Sequence, residues 1–343
     1  MLILTNCLVE KADEGALNVA ANLIRCILQE DPAAEIISYD RANSQAHRHL
    51  NLNKLLLNIS LFRCLGRRSE PLLYLPFPAR SVPTALRVFV LSRMHRGKLR
   101  VLLPMTHPLN AFAGFLLRRS GAELVVLSRE ASDQYRVFLP EERVIHLRAA
   151  VDTDRFHPVS PEKARELKIK YGLDPDRPVA LHVGHLKSGR NIRTLKNIPK
   201  TWQVLLVVST HTWDTRDEAL REELLKAGNI RILDDYIPEI REIYQLSDLY
   251  FFPVVQPGNC IDIPLSCLEA AACGKPVVTT AYGQMKDFAG MPGFFLMDDP
   301  EQNPDVIFAE ALSAQPGISR GAAEAYDWKT AGKLLADWGQ DNG

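Results

Sequence analysis

Leu249–Thr280 reads LYFFPVVQPGNCIDIPLSCLEAAACGKPVVTT, and its pattern decides the architecture. LYFFPVV is a continuous apolar run bounded by a turn, the mark of a strand buried on both faces. Gln256-Pro257-Gly258-Asn259 is turn chemistry. Pro264 suits an early helical position, Ser266 to Cys273 the helix body, and Gly274 its C-cap. PVVTT returns as a second strand. Two strands joined through a crossover helix run parallel.

The same alternation extends outward in both directions. MLILTN, EIISYD, PLLYLPF, RVLLPM and AELVVLS are apolar runs of strand length, and GALNVAANLIRCILQE, RVFVLSRM and LNAFAGFLLRR carry helical spacing. The charged, proline-dotted stretch VDTDRFHPVSPEKARELKIKYGLDPDRP interrupts them as a linker and one helix. VALHVG, WQVLLVVS, IRILDD and GFFLMD then resume the pattern. The reading is an α/β protein of two Rossmann-like, doubly wound parallel-sheet domains, residues 1–154 and 155–326, with a final helix in 327–343. A length of 343 residues suits two domains.

Lys plus Arg and Asp plus Glu number 41 each, so no global positive field holds nucleic acid, and none is expected as a partner. The N-terminus lacks a basic segment followed by a long apolar one, and no run of about 18 apolar residues occurs. A cytoplasmic protein is the expectation. Cys7, Cys26, Cys64, Cys260, Cys267 and Cys273 form no C-x-x-C pair and no zinc-ligand spacing, so they read as free buried thiols in a reducing compartment.

Arg48–Arg68, RHLNLNKLLLNISLFRCLGRR, reads as an amphipathic helix with basic ends. It is either a crossover helix packed on the sheet or a peripheral contact with the inner face of a membrane.

Ligands of open α/β sheets sit at the carboxyl ends of strands, where loops lead into helices. After VALHV comes Gly184-His185-Leu186-Lys187-Ser188-Gly189-Arg190-Asn191, leading into the helical run IRTLKNI. The glycines let the backbone approach a phosphate, a helix N-terminus adds amide donors, and Lys187 and Arg190 add charge. Surface turns carry the same residues, so the loop alone does not decide. Glu269 lies in the nearly apolar LSCLEAAAC. It is either a carboxylate clasping vicinal ribose hydroxyls or an exposed residue on a solvent stripe. Asp262 sits one turn earlier, where the loop could present a sugar.

RAAVDTDRFHPVSPEKARELKIKYGLDPDRPVALHVGHLKSGRNIRTL resembles the middle of family 4 (group 1) glycosyltransferases of GT-B fold, with their strand-to-linker passage and phosphate loop. DIPLSCLEAAACGKPVVTT resembles their sugar-nucleotide signature of two glutamates closing on a Leu-Glu-Ala-x-Ala-Cys-Gly-x-Pro segment. EGALNVAANLIRCIL and LVVLSREASDQY are looser matches. The resemblance implies two domains facing a cleft, the first for the acceptor and the second for the donor. It also implies that the last helix, YDWKTAGKLLADWG, packs back on the first domain.

The resemblance carries roles onto positions. Glu269 stands where the family holds the donor ribose, Arg190 at the phosphate-loop lysine, and His185 at the arginine that contacts the diphosphate. Gly184, Lys187, Ile263 and Pro264 complete the donor residues. The first signature glutamate falls on Ile261, which leaves Asp262 beside it as the group for the transferred sugar. Gly15 stands for the acceptor-side glycine loop. His107 matches a strand-terminal histidine on that side and reads equally as a structural turn residue. Arg190, His107 and Asp262 are thus the catalytic candidates. The implied activity is retaining transfer of a sugar from a nucleotide-diphosphate donor to a glycan, lipid-linked or small-molecule hydroxyl, without metal or cofactor. The rivals are a GT-B sugar-nucleotide epimerase and an inactive partner protein, the latter favoured by the departures at His185 and Ile261.

Overall fold

The computed structural model describes residues 1–8, 15–39, 45–77, 79, 81–104, 109–209 and 217–340. They form two compact units, Met1–Ala149 with Trp328–Gly343, and Ala150–Asp327. The junction read near residue 155 from the sequence falls at 149/150 by chain compactness.

The first unit holds seven parallel strands: β1 (Leu2–Thr5), β2 (Glu35–Tyr39), β3 (Arg48–Leu50), β4 (Leu72–Leu75), β5 (Leu99–Leu103), β6 (Glu123–Val126) and β7 (Val144–His146). Their order is β3-β2-β1-β4-β5-β6-β7. The helices are α1 (Gly15–Glu30), α2 (Ile59–Leu65), α3 (Ser81–Met94), α4 (Ala111–Ser120) and α5 (Arg129–Arg136). Every residue of β1, β4 and β5 is buried, including Ile3, Leu4 and Tyr74, because layers cover both faces of the sheet.

The second unit holds β8 (Val179–Gly184), β9 (Gln203–Val208), β10 (Ile230–Leu233), β11 (Leu249–Phe252), β12 (Val277–Thr279) and β13 (Phe294–Leu296), in the order β10-β9-β8-β11-β12-β13. Its helices are α6 (Pro161–Lys170), α7 (Glu218–Leu225), α8 (Ile240–Leu246), α9 (Leu265–Ala272), α10 (Asp305–Ser313) and α11 (Arg320–Glu324). Both sheets follow the doubly wound order, which reverses between β1 and β4 and between β8 and β11.

The last helix, α12 (Trp328–Gln340), belongs to the first unit. Gly332 lies so close to α1 that a Cβ there would stand 3.1 Å from the Cys26 carbonyl carbon. The Arg100 guanidinium covers the Trp338 ring at 4.2 Å. Such cation–π contacts contribute about 0.5–2 kcal/mol.

Three expectations are corrected. Arg48–Arg68 is not one helix: it opens as β3, turns, and is helical only over Ile59–Leu65. Its asparagines compete with the helix. Asn53 Oδ1 accepts from the Leu55 and Leu57 amides at 3.1 and 3.0 Å, and Leu56 takes a left-handed φ of 61°. Second, Pro264 precedes α9 rather than sitting inside it, and Gly274 follows the C-cap Cys273. Gly274, with φ 72°, donates to Ala271 O at 2.8 Å and Lys275 to Ala270 O at 3.0 Å, which is a Schellman ending. Third, five cysteines are buried, whereas Cys260 is only half-buried. Among the described residues no helix is long and apolar enough to cross a membrane.

Candidate functional site

The switch point of the second sheet lies between β8 and β11, so the loops leaving their carboxyl ends define the site. β8 ends at Gly184. His185 is half-buried, and its carbonyl accepts from the Lys187 amide at 3.0 Å. Ser188–Arg190 form a 3₁₀ turn, and Asn191 follows at φ 56°, a left-handed setting that asparagine tolerates better than most residues. Its side-chain amide donates to Pro253 O, just past β11, at 3.2 Å.

The run IRTLKNI is not the α-helix read from the sequence. Ile192–Asn197 form a six-residue 3₁₀ helix, ending where Pro199 holds Ile198 extended. So short an element supplies little dipole, and the positive character of the loop rests on its side chains.

Arg190 carries most of that character. It is 6% exposed, its Nε lies buried without a partner, and no carboxylate pairs with it among the described residues. A Cβ built on Gly184 would lie 2.8 Å from Arg190 Nη1 and 3.2 Å from His182 Nε2. Glycine at 184 is therefore what lets the guanidinium lie across the strand end. Lys187, half-buried, forms no ion pair among the described residues. Ser188 Oγ donates to Asp217 at 2.5 Å, and this bond holds the Asp217 carboxyl below its usual range.

The second loop meets the first. A Cβ on Gly189 would overlap the Asn259 side-chain oxygen. The Tyr282 hydroxyl clamps the turn by accepting from the Cys260 amide at 3.0 Å and donating to the Cys260 carbonyl at 2.7 Å. Burial raises the Tyr282 pKa; the Asp262 charge raises it further, and Arg190 opposes. The Asp262 carbonyl accepts from the Gln284 amide at 3.0 Å. Ile261 and Ile263 are buried, so the first signature position presents no polar group.

Glu269 lies in the body of α9, half-buried. The Tyr244 hydroxyl, on α8, donates to its Oε2 at 2.6 Å, and Oε1 has no partner among the described residues. Burial raises the Glu269 pKa, while the Tyr244 bond and the Arg155 charge oppose the rise. It is thus neither a solvent-stripe residue nor an unpartnered buried acid. Tyr244 and Tyr250 rings lie 6.0 Å apart, and Tyr250 stacks on His182 at 6.3 Å. This ring series links the Glu269 and Arg190 ends of the site.

On the first unit, Gly15 opens α1. His107 lies outside the described residues. Sequence reasoning missed His182, Tyr244, Asn259 and Tyr282. Only His182 left a signal: a histidine inside the buried apolar strand VALHVG is an anomaly that needs a reason.

Two parallel-sheet units with this strand order and a loop-built site at the switch point of the second are the GT-B architecture. The fold matches an Anabaena protein, Alr3699/HepE, solved in complex with UDP and glucose, with TM-score 0.78, 14% identity and 99% of each chain covered. Residues 177–313 match the family model for group 1 glycosyl transferases, and the second unit is of that type. Among curated proteins, a GDP-mannose-dependent alpha-(1-6)-phosphatidylinositol monomannoside mannosyltransferase of Mycolicibacterium smegmatis is 27% identical over 64% of this chain. An alpha-maltose-1-phosphate synthase of Mycobacterium tuberculosis is 25% identical over 57%. The match spans 63% and 54% of the length of those two relatives.

Proposed function

We propose that this protein is a retaining, metal-independent glycosyltransferase moving a sugar from a nucleotide-diphosphate donor to a hydroxyl acceptor. The second unit would hold the donor. The carrying observation is Arg190: a buried cation with no acid partner among the described residues, laid across the glycine that ends β8. A buried charge is costly unless something compensates it, and a diphosphate supplies the missing charge. As the glycosidic bond breaks, negative charge grows on the diphosphate, and Arg190 and Lys187 stabilise it there. The half-open Glu269 carboxylate accepts from ribose hydroxyls, with Tyr244 fixing its orientation. Asp262, beside the buried Ile261, faces the transferred sugar. Gly184, His185, Ile263 and Pro264 shape the walls, and Gly15 and His107 fall to the acceptor side.

The test is turnover by purified protein of a panel of sugar nucleotides, each with and without hydroxyl acceptors. Sugar transfer is expected. Solvent isotope entering the donor sugar without transfer would instead mark an epimerase, and the absence of both turnover and nucleotide affinity would mark an inactive partner.

A lipid-linked acceptor at a membrane surface is favoured by one patch of the first unit. Leu55, Leu57, Ile59 and Phe62 are exposed, the last two at 72% and 56%. Lys54, Arg63 and Arg67 surround them, exposed, and no acid occurs between Arg41 and Ser69. Apolar side chains ringed by cations suit an anionic bilayer. Sedimentation with vesicles containing phosphatidylserine tests it, and binding that is absent or indifferent to salt removes this part.

A further inference from the structure

His182 is fully buried on β8, two residues before the glycine that ends it. Its ring lies near-parallel to those of Tyr250 and Phe252 of β11, at 6.3 and 6.1 Å between centroids and interplanar angles of 12° and 21°. Nδ1 lies 2.8 Å from the Phe251 carbonyl oxygen. A carbonyl only accepts, so Nδ1 carries the proton and Nε2 presents a lone pair. Among the described residues that lone pair is buried without a partner, as is the Nε–H of Arg190. Both side chains crowd the same point above Gly184: Nη1 at 2.8 Å and Nε2 at 3.2 Å from where a Cβ would be. An unmet imidazole acceptor and one arm of a guanidinium whose Nε–H is also unmet therefore crowd one glycine.

Resting on the donor-site reading of Arg190, we infer that His182 is a positioning residue: its Nε2 takes one guanidinium N–H of Arg190 while a nucleoside diphosphate engages the rest. A carboxylate at 182 would orient the guanidinium equally well but would cancel the charge the diphosphate needs. A neutral imidazole orients it and leaves the charge intact. Burial, aided by Arg190, lowers the His182 pKa to about 4, which keeps the ring uncharged at neutral pH. Packing against the Tyr250 and Phe252 rings holds the ring plane, and the Phe251 carbonyl fixes the tautomer.

The experiment is titration of uridine and guanosine diphosphate into the whole protein and its variants, with thermal melting alongside. His182→Gln restores a neutral acceptor and is expected to bind the better nucleotide within about threefold of the parent. His182→Phe keeps the aromatic stack but loses the acceptor, and is expected to bind about tenfold more weakly, the scale of one hydrogen bond to a charged group. A role limited to packing predicts the reverse ranking. In an Arg190→Ala background the His182→Phe change is expected to cost nothing further. Unaltered affinity in His182→Phe, or an equal loss with and without Arg190, overturns the inference. If Arg190→Ala itself binds like the parent, or the parent binds neither nucleotide, the donor-site reading falls and this inference with it. A second measurement needs no variant: ¹⁵N resonances of histidine-labelled parent protein should show the His182 Nε2 signal moving upfield on nucleotide addition, and an unmoved signal contradicts the proposal.

Discussion

The Tyr244 hydroxyl donates a hydrogen bond to Glu269 Oε2 at 2.6 Å, joining α8 to α9 at the half-buried carboxylate. The bond leaves Oε1 as the open acceptor. Glu269→Ala is expected to weaken donor binding about tenfold, the scale of bonds to a charged group. Tyr244→Phe should have a smaller effect of the same sign, because the carboxylate stays but loses its orientation. Calorimetric titration of the sugar nucleotide distinguishes them, and equal donor affinity in all three proteins contradicts the ribose role.

Arg190→Ala is expected to slow sugar transfer by about one to three orders of magnitude, as loss of one charge-stabilising donor does elsewhere. Arg190→Lys should recover part of the rate, since a cation returns without the planar fork. A turnover number near that of the parent in the alanine variant removes the phosphate assignment.

Gly184→Ala puts a carbon 2.8 Å from Arg190 Nη1 in a strand whose backbone alanine accepts. The guanidinium has to move. Donor affinity should fall by about an order of magnitude while the melting temperature stays within a few degrees. A Gly184→Ala protein with parental affinity shows that the guanidinium position is immaterial.

Acid should weaken the fold through His182. Its folded pKa, near 4, lies below the ordinary value of 6.5. As pH falls from 6.5 to 4, the unfolded chain takes up a proton that the folded chain refuses, so stability is lost on the way down. The loss approaches about 3 kcal/mol at the lower end. Glu269 works oppositely: its raised pKa means that protonation on acidification favours the folded form. Urea unfolding at stepped pH should show a slope that His182→Phe flattens and Glu269→Gln steepens. Identical slopes in the parent and His182→Phe count against a neutral buried ring.

Exchanging Leu57, Ile59 and Phe62 for serine should abolish binding to phosphatidylserine vesicles without altering turnover of a water-soluble acceptor. Parental vesicle binding by the triple variant excludes this patch as the contact.

The strands were legible wherever both faces are covered, because burial there leaves an unbroken apolar run such as LYFF or VVLS. β3 and β7 escaped reading because they form the two edges of their sheet. RHL and VIH are three residues each and partly exposed, too short for a periodicity to show. The helix read across 48–68 failed for a local reason. Its leucines have helical spacing, but Asn53 and Asn58 offer the backbone side-chain bonds that a helix cannot match. The loop cations were visible as residue types. Their setting was not: that Arg190 is buried, that Asn259 closes on Gly189 and that Tyr282 clamps Cys260 all depend on residues distant along the chain.

Because α12 completes the first unit, residues 1–149 lack part of their own packing until the stretch Trp328–Gln340 has been translated. The stripe of α1 around Cys26 emerges from the ribosome without its cover, and a nonsense codon between residues 150 and 328 leaves it bare. Early termination should therefore yield a nascent chain that recruits chaperones and precipitates, rather than a free-standing N-terminal fragment.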